Sequence, residues 1–233
     1  MQSPFGSLSP VVKNLLIINI LCFLPSVLFN ENINNMIITH FAAFYIYSPF
    51  FRPWQIITYM FLHGGWEHII FNMFALFSFG PIVEYSIGSK RFFTLYFVCG
   101  IGAILLQLLV QGIEVYHLVG HFSVPDTLQT DDMALISQLR EIYSSPTLGA
   151  SGAIFGVLIA FGMLYPNMEL MIMFIPVPIK AKYIIPVYIL IELGLGIGHV
   201  GGDNVAHFAH LGGALIAFIM IKIWGIRRPN SFT

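Results

Sequence analysis

Two polar side chains lie near the starts of apolar segments, where a residue embedded in a bilayer is a candidate for function by default. Ser151 occurs in Gly-Ala-Ser-Gly at 149–152, and His210 occurs in Ala-His-Leu-Gly-Gly at 209–213. A serine hydroxyl becomes a nucleophile when a neighbouring base removes its proton, and histidine can be that base. The alternative is structural, because a serine at the start of a helix commonly caps it. Taken alone, neither residue decides between these interpretations.

Small residues accompany both side chains and indicate that their helices lie close together. A glycine or alanine every four residues lets a second helix backbone approach. The residues concerned are Gly152, Gly156 and Ala160 after the serine, and Gly213, Ala214 and Ala217 after the histidine. Both side chains are also expected at a similar depth, because each lies near the outer end of its helix. We therefore predict that Ser151 and His210 pair in the outer half of the membrane.

A second pair of polar residues, His68 and Asn72, is four residues apart and therefore shares one helix face. One interpretation is an interhelical hydrogen bond that stabilises the bundle. The other is a pair of donors aimed at the oxygen that becomes negative when a hydroxyl attacks an amide. The spacing favours neither.

Other ionisable residues have weaker functional interpretations. His207 and His210, with His63 and His68, could be drawn as a zinc site, but no HExxH or carboxylate-bearing metal motif accompanies them. We therefore expect no metal and no cofactor. Glu192 lies within an apolar segment that has no basic residue in its helix. We interpret it as structural, with its carboxyl protonated and bonded to a neighbouring helix, and with a position facing a polar cavity as the alternative.

The composition sets the class of protein that must hold these residues. Of 233 residues, 57% are hydrophobic and only 9% are charged, against about 25% charged in soluble domains. A soluble globule, a nucleic-acid binder and a disordered chain are therefore excluded, and the net charge of −1 gives no reason to expect an anionic partner. Cys22 and Cys99 both lie in apolar runs, which excludes a disulfide framework. The sequence predicts an all-α, multi-pass membrane protein.

Six apolar segments are long enough to be membrane-spanning helices, each of which needs about 20 residues. They run over 11–29, 66–83, 92–111, 149–165, 183–198 and 205–226. The first is expected to be retained, since no small-x-small cleavage site follows it. With both termini cytoplasmic, most of the ten basic residues fall on the inner side, as the positive-inside rule requires.

Outside these spans, the sequence predicts two further features. A seventh span over 36–51 would put two inner basic clusters on the wrong side of the membrane, so we interpret 36–51 as an interfacial or re-entrant segment. A short surface helix is predicted over 131–143. No repeat or low-complexity segment divides the chain. We therefore expect one domain over 1–233, with its core at about 10–226.

Together the motifs resemble the rhomboid intramembrane serine proteases. The resemblance rests on Gly-Ala-Ser-Gly at 149–152, Ala-His-Leu-Gly-Gly at 209–213 and His68-xxx-Asn72, in this order of helices, and covers about residues 10–226. Supporting matches are Pro-Trp-Gln at 53–55, Phe-Leu-His-Gly-Gly-Trp at 61–66, and Gly80, Glu84 and Gly-Ser at 88–89.

The resemblance implies a fold and a set of roles. The fold would be a rhomboid-like bundle of six transmembrane helices. Ser151 would be the nucleophile and His210 its general base, in a dyad that needs no acid to orient the histidine. His68, Asn72 and the Ser151 backbone N–H would form the oxyanion hole.

Three positions depart from the family's pattern. The Trp-Arg pair usual in the first outer loop is Trp54-Gln55 here, so a charge role of that arginine is absent or belongs to Arg52. The position four residues after the serine, often tyrosine, is Phe155, whose ring could still pack on the histidine. The sixth helix has Ala217 in place of the second glycine of its Gly-xxx-Gly. None of these removes the dyad.

The sequence thus predicts an intramembrane serine endopeptidase that cleaves membrane proteins in or near a transmembrane segment. Its expected partners are transmembrane substrates and the lipid bilayer, not nucleic acid or metal. The alternative is a catalytically inactive rhomboid-like binding or trafficking factor, which would be expected to lack Ser151 or His210. Because no organellar transit segment is apparent, the expected location is a bacterial inner (cell) membrane.

Overall fold

The chain folds into a helical bundle with one small sheet. The computed structural model describes residues 8–125, 128–172, 175–198 and 206–226. The helices in these ranges are α1 (Pro10–Leu28), α2 (Glu31–Phe41), α3 (Gln55–Thr58), α4 (Trp66–Ile87), α5 (Ser89–Val119), α6 (Met133–Ser144), α7 (Ser151–Leu164), α8 (Ala181–Gly198) and α9 (His207–Ile223). A 3-10 turn at Tyr59–Phe61 follows α3, and β1 (Glu169–Ile172) pairs with β2 (Ile175–Lys180).

Each predicted span corresponds to a helix. Among the described residues, α1, α4, α5 and α8 are long and apolar enough to cross a membrane, whereas α7 and α9 are shorter apolar helices of 14 and 17 residues. Helix α5 continues past the predicted end at 111, as far as Val119. It stops there because Gly120 adopts a left-handed conformation (φ +74°) and donates its amide to the Tyr116 carbonyl. The predicted start of the last span, residue 205, lies outside the described residues.

The connection between α7 and α8 is a β-hairpin, although its sequence contains Pro176 and Pro178, which are typical of turns. Both prolines lie in β2, which pairs antiparallel with β1 in the register Glu169↔Lys180 and Leu170↔Ile179. Proline lacks the N–H that a ladder uses, and a two-stranded hairpin can accommodate it because each strand has an open edge. Because prolines are uncommon within strands, β2 could not be predicted from the sequence.

The segment 36–51 contains no spanning helix. Only its beginning is helical, in α2, which has 11 residues and a cap in which the Asn30 side chain accepts from the Ile33 amide. A helix of that length extends about 16 Å, half of what a bilayer core requires. The chain then enters a buried stretch, where Ala43 exchanges two backbone hydrogen bonds with Thr147, next to the start of α7.

A small apolar cluster joins the segment after α2 to α5 and α6. Tyr45 from that segment, Val115 from α5 and Leu139 from α6 are buried together. The Ser48 hydroxyl donates to the Tyr143 carbonyl at 2.7 Å, so this segment is fastened to α6. The predicted short helix over 131–143 is present as α6, and the Asp132 carboxylate caps it.

Close approach of α5, α7 and α9 forms the core that positions the site. A Cβ atom on Gly156 would lie 2.5 Å from Cys99 Sγ of α5 and 3.3 Å from the Gly213 carbonyl of α9. A Cβ on Gly213 would collide with the carbonyl group of Gly152. The rows of small residues therefore bring α7 and α9 into backbone contact, as the sequence predicted.

Helix α4 is held near its C-terminal end by Glu84. The carboxylate accepts hydrogen bonds from the Val11 and Val12 amides, at 3.1 and 3.0 Å, and from the Ser89 hydroxyl at 2.6 Å. The first amides of a helix lack intrahelical acceptors and favour a negative partner. Glu84 thus ties α1 and the start of α5 to the helix that carries His68 and Asn72.

Candidate active site

Ser151 is the first residue of α7, and a glycine makes its position possible. Gly149 adopts φ +124° and donates its amide to the Tyr59 carbonyl at 2.9 Å. A side chain there would be strained, and its Cβ would lie 2.7 Å from the His68 ring. Helix α7 therefore begins at Ser151, two residues after this glycine.

The structure brings Ser151 and His210 together. Ser151 Oγ lies 2.7 Å from His210 Nε2, which is hydrogen-bond distance. His210 is in the first turn of α9 and is only 8% exposed. The Phe155 ring stacks on its imidazole at 4.3 Å between centroids and 7° between planes. Phe155 thus supplies the packing expected at this position, without a hydroxyl.

The other ring nitrogen of His210 faces a carboxylate. His210 Nδ1 lies 2.9 Å from Glu192 Oε2 on α8, and His207 Nδ1 lies 2.8 Å from the same oxygen. The predicted bond from Glu192 to a neighbouring helix is therefore present. That its partners are two histidines, one of them paired with the serine, could not be read from the sequence. The only signal in the sequence was an acid in the apolar segment 183–198, which has no basic residue.

His68 and Asn72 lie on α4, across the cavity from α9. The His68 Nδ1 accepts from the Gly64 amide at 3.3 Å, so its proton is on Nε2. A Cβ atom placed on Gly149 would lie 2.7 Å from His68 Nε2 and 3.7 Å from Ser151 Oγ. The His68 nitrogen and the Ser151 hydroxyl are therefore both close to the same point. Asn72 is 7% exposed, and among the described residues its amide Nδ2 has no hydrogen-bond partner.

One cavity of about 2160 Å³ contains these side chains. Ser151, His210, His68 and Asn72 all line it, and Gln111 and Glu141 line it as well. Its apolar walls come from α4, α7 and α8, including Phe71, Leu158 and Ile185. Ser151 therefore lines a cavity whose walls combine polar and apolar side chains.

The segment between α2 and α4 is held by Gln55, a residue that departs from the family's pattern. Gln55 is fully buried, and its amide Nε2 donates to the Thr39 and Phe50 carbonyls at 3.1 and 3.0 Å. The exposed Arg52 donates from its guanidinium to the Pro49 and Phe51 carbonyls. Both side chains act within the loop, and neither contacts the serine.

The geometry also bears on whether the four histidines considered as a zinc site lie together. His207 and His210 form a group with Glu192, in which one donor atom of each lies within 4.8 Å of the others. His63 and His68 instead pack on one another on the α4 side, with ring centroids 5.1 Å apart. The four histidines therefore do not form one cluster.

His63 makes the stability of this region sensitive to pH. Burial, together with the neighbouring His68, lowers the pKa of His63 from 6.5 to about 4. The unfolded chain then binds a proton that the folded chain does not, so stability present above pH 6.5 is lost as the pH falls towards 4. The slope should approach about 1.4 kcal/mol per pH unit. This pH dependence of stability is measured from melting temperatures in detergent between pH 7.5 and 5. Replacing His63 by Gln should flatten the curve, and equal slopes in both proteins would contradict the assignment.

Comparison with known proteins agrees with the geometry. The sequence profile of the rhomboid domain matches residues 51–227, three quarters of the chain. The chain belongs to the rhomboid family. RHOMBOID-like protein 12, mitochondrial, of Arabidopsis thaliana is 29% identical over 182 residues, covering 78% of this chain and 48% of that protein. Rhomboid protease GluP of Bacillus subtilis is 28% identical over 179 residues, covering 77% of this chain and 27% of that protein.

A third rhomboid relative bears on location. Rhomboid protein 1, mitochondrial, of Saccharomyces cerevisiae is 32% identical over 124 residues, covering 53% of this chain and 29% of that protein. This rhomboid chain spans less than half the length of each of the three relatives. Rhomboid membership and the apolar helices make it an integral, multi-pass membrane protein. The predicted bacterial inner membrane is not supported, because two of these relatives are mitochondrial.

Proposed function

We propose that this rhomboid is an intramembrane serine endopeptidase in which Ser151 is the nucleophile and His210 the general base. The observation that carries the proposal is the 2.7 Å separation of Ser151 Oγ and His210 Nε2, in two side chains that line the same cavity. The relative GluP, whose name describes it as a rhomboid protease, supports the same activity. A hydroxyl with a base at this distance can lose its proton as it attacks a carbonyl.

The proposed reaction begins with transfer of the Ser151 hydroxyl proton to His210 Nε2 while Oγ bonds to the substrate carbonyl carbon. Negative charge then develops on the carbonyl oxygen. The proposed donors to this oxygen are His68 Nε2–H, Asn72 Nδ2–H and the Ser151 backbone N–H, which has no intrahelical acceptor because Ser151 begins α7. Preorganised donors in a low-dielectric site stabilise this charge. His210 then gives its proton to the leaving amine, and water hydrolyses the acyl-enzyme.

The proposed arrangement in the membrane has six spans, with both termini cytoplasmic and the chain forming a single domain. The six proposed spans are the four long apolar helices together with the shorter helices α7 and α9. Helix α7 extends about 21 Å, short of the hydrocarbon core of about 30 Å, so Ser151 would lie below the outer surface. Water would then reach the serine through the cavity from the outer side.

The proposed substrates are transmembrane proteins presented as extended segments. A helix occupies its carbonyl groups with internal hydrogen bonds, so the scissile peptide must unwind before Ser151 can attack it. Small or helix-weakening residues near the cut would lower that cost. The walls of the cavity are mainly apolar side chains, which suits a segment that arrives from the bilayer.

Cleavage in reconstituted membranes tests the proposal. The protein is placed in liposomes with a single-span substrate that has a helix-weakening segment near its outer end, and products are identified by mass spectrometry. We expect the intact chain to cut the substrate and the Ser151→Ala variant to leave it whole. Equal products from both would reject the proposal, and absence of cleavage by either, with the substrate bound, would favour the inactive binding factor.

Asn72→Ala should lower turnover without preventing the serine from reacting. The substitution removes one oxyanion donor, which typically costs about 10²–10³ in kcat. The loss should lie at the lower end, because His68 and the Ser151 amide remain. The measurement is steady-state cleavage combined with fluorophosphonate labelling, which should continue. A change in KM with kcat unaltered would assign Asn72 to substrate binding or structure instead.

A further inference from the structure

We propose that Glu192 is a positioning residue that turns the Ser151–His210 pair into a hydrogen-bonded chain of three. This inference rests on the proposed protease function and departs from the dyad implied by the family resemblance. Glu192 Oε2 lies 2.9 Å from His210 Nδ1, while His210 Nε2 lies 2.7 Å from Ser151 Oγ. The carboxylate and the hydroxyl therefore bond to opposite nitrogens of one imidazole.

The carboxylate determines which nitrogen of His210 carries the proton. An ionised carboxylate has only acceptors, so His210 Nδ1 must bear the hydrogen in this bond. In neutral imidazole the other nitrogen is then unprotonated and accepts from the serine. This is the tautomer that a general base needs. When Nε2 takes the serine proton, the Nδ1–H bond to Glu192 is kept, and the positive ring faces a negative partner.

His207 keeps the carboxylate in place for this role. Its Nδ1 lies 2.8 Å from the same Oε2, and Glu192 is only 4% exposed. A buried carboxylate is costly unless hydrogen-bonded donors compensate it. Two N–H donors from α9 converge on this one oxygen, which aims it at His210 and favours its ionised form. A carboxylate with only a packing role would not need to contact Nδ1 of His210, the histidine whose Nε2 contacts Ser151.

The other charged or titratable groups near this chain are few among the described residues. Tyr188, one turn earlier on α8, interacts electrostatically with Glu192, and its ring packs on Phe155. His68 on α4 interacts electrostatically with His210. Glu192 is thus the acidic partner of His210 among these residues, and its substitution should change the protonation of His210 and of His207, which contacts the same oxygen.

Glu192→Gln tests the proposal by pH profile and turnover. The variant keeps the side-chain shape and removes the charge. We expect kcat to fall at least about tenfold, within the roughly 10⁴-fold that loss of the third triad member can cost, with KM little changed. The acid limb of kcat/KM, which reports the free base, should move to lower pH because the protonated ring loses its negative partner. Glu169→Gln, the same change at an exposed residue of β1, should match the unmodified protein in both.

The outcomes separate this inference from the proposed function. If the unmodified protein cleaves, Ser151→Ala does not, and Glu192→Gln retains both kcat and the acid limb, then Glu192 is only structural and the inference fails alone. If the unmodified protein and Ser151→Ala behave alike, the protease assignment itself fails. Should Glu192→Gln not fold, nitrogen NMR of histidine-labelled unmodified protein decides the matter. We expect the His210 hydrogen on Nδ1 at neutral pH, and a hydrogen on Nε2 would overturn the proposal.

Discussion

Ser151→Ala and His210→Ala should each abolish cleavage, and the double variant should be scarcely slower than either single one. Residues that act as one catalytic unit lose their effect together, and removing one member typically costs about 10⁴-fold or more in kcat. The measurement is the initial rate on a membrane-embedded substrate for the three variants. The short contact between Oγ and Nε2 is the physical reason to expect this non-additivity.

Two substitutions of the same types elsewhere serve as controls. Ser26→Ala removes a hydroxyl on α1 that donates to the Phe23 carbonyl, and His121→Ala removes an exposed imidazole beyond α5. Neither residue lines the cavity. Both should cleave at the rate of the unmodified protein. Losses that simply add in the Ser151 and His210 double variant would contradict a shared catalytic role.

Gly213→Val should lower stability and should lower activity even further. A Cβ at this position meets the carbonyl of Gly152, which is backbone and cannot rotate away, so α7 and α9 must separate. Overpacking of this kind typically costs about 1–3 kcal/mol. A displacement of about 1 Å at the reacting atoms can cost about 10²-fold in rate. Ser151 is on one of these helices and His210 is on the other, so cleavage should fall even below the melting transition.

The matched control for Gly213→Val is Gly194→Val. A Cβ on Gly194, in α8, meets no other atom within 4 Å, so the same change in helix propensity occurs there without a collision. Melting temperature and turnover of the two variants, measured side by side in detergent, separate the two effects. Normal turnover with normal melting in Gly213→Val would show that contact of α7 with α9 does not position the pair.

The elements that could be predicted are those with a strong local pattern. Apolar length gave the positions of the long helices, and small residues at four-residue spacing predicted the contact between α7 and α9. Ser151 and His210 could be paired because each adjoins such a row, although 59 residues separate them. In each case the information lies within a few turns of one helix or in the matching depth of two.

Features that depend on distant partners could not be predicted. Glu192 bonds to two histidines that lie 15 and 18 positions further along the chain, in α9, and the sequence carries no sign of that geometry. The hairpin of β1 and β2 was missed because its prolines are typical of turns. Gln55 gave no signal of its role, since its partners are backbone carbonyls, which every residue has.

Labelling with a serine-directed fluorophosphonate tests the central claim most directly, because it needs no knowledge of the substrate. The purified protein is treated in detergent at neutral pH, and the modified peptide is identified by mass spectrometry. We predict one adduct, on Ser151, which is absent in Ser151→Ala, strongly reduced in His210→Ala and retained in Ser26→Ala. A folded protein that remains unlabelled at Ser151, or labels equally well without His210, would contradict activation of this serine by this histidine.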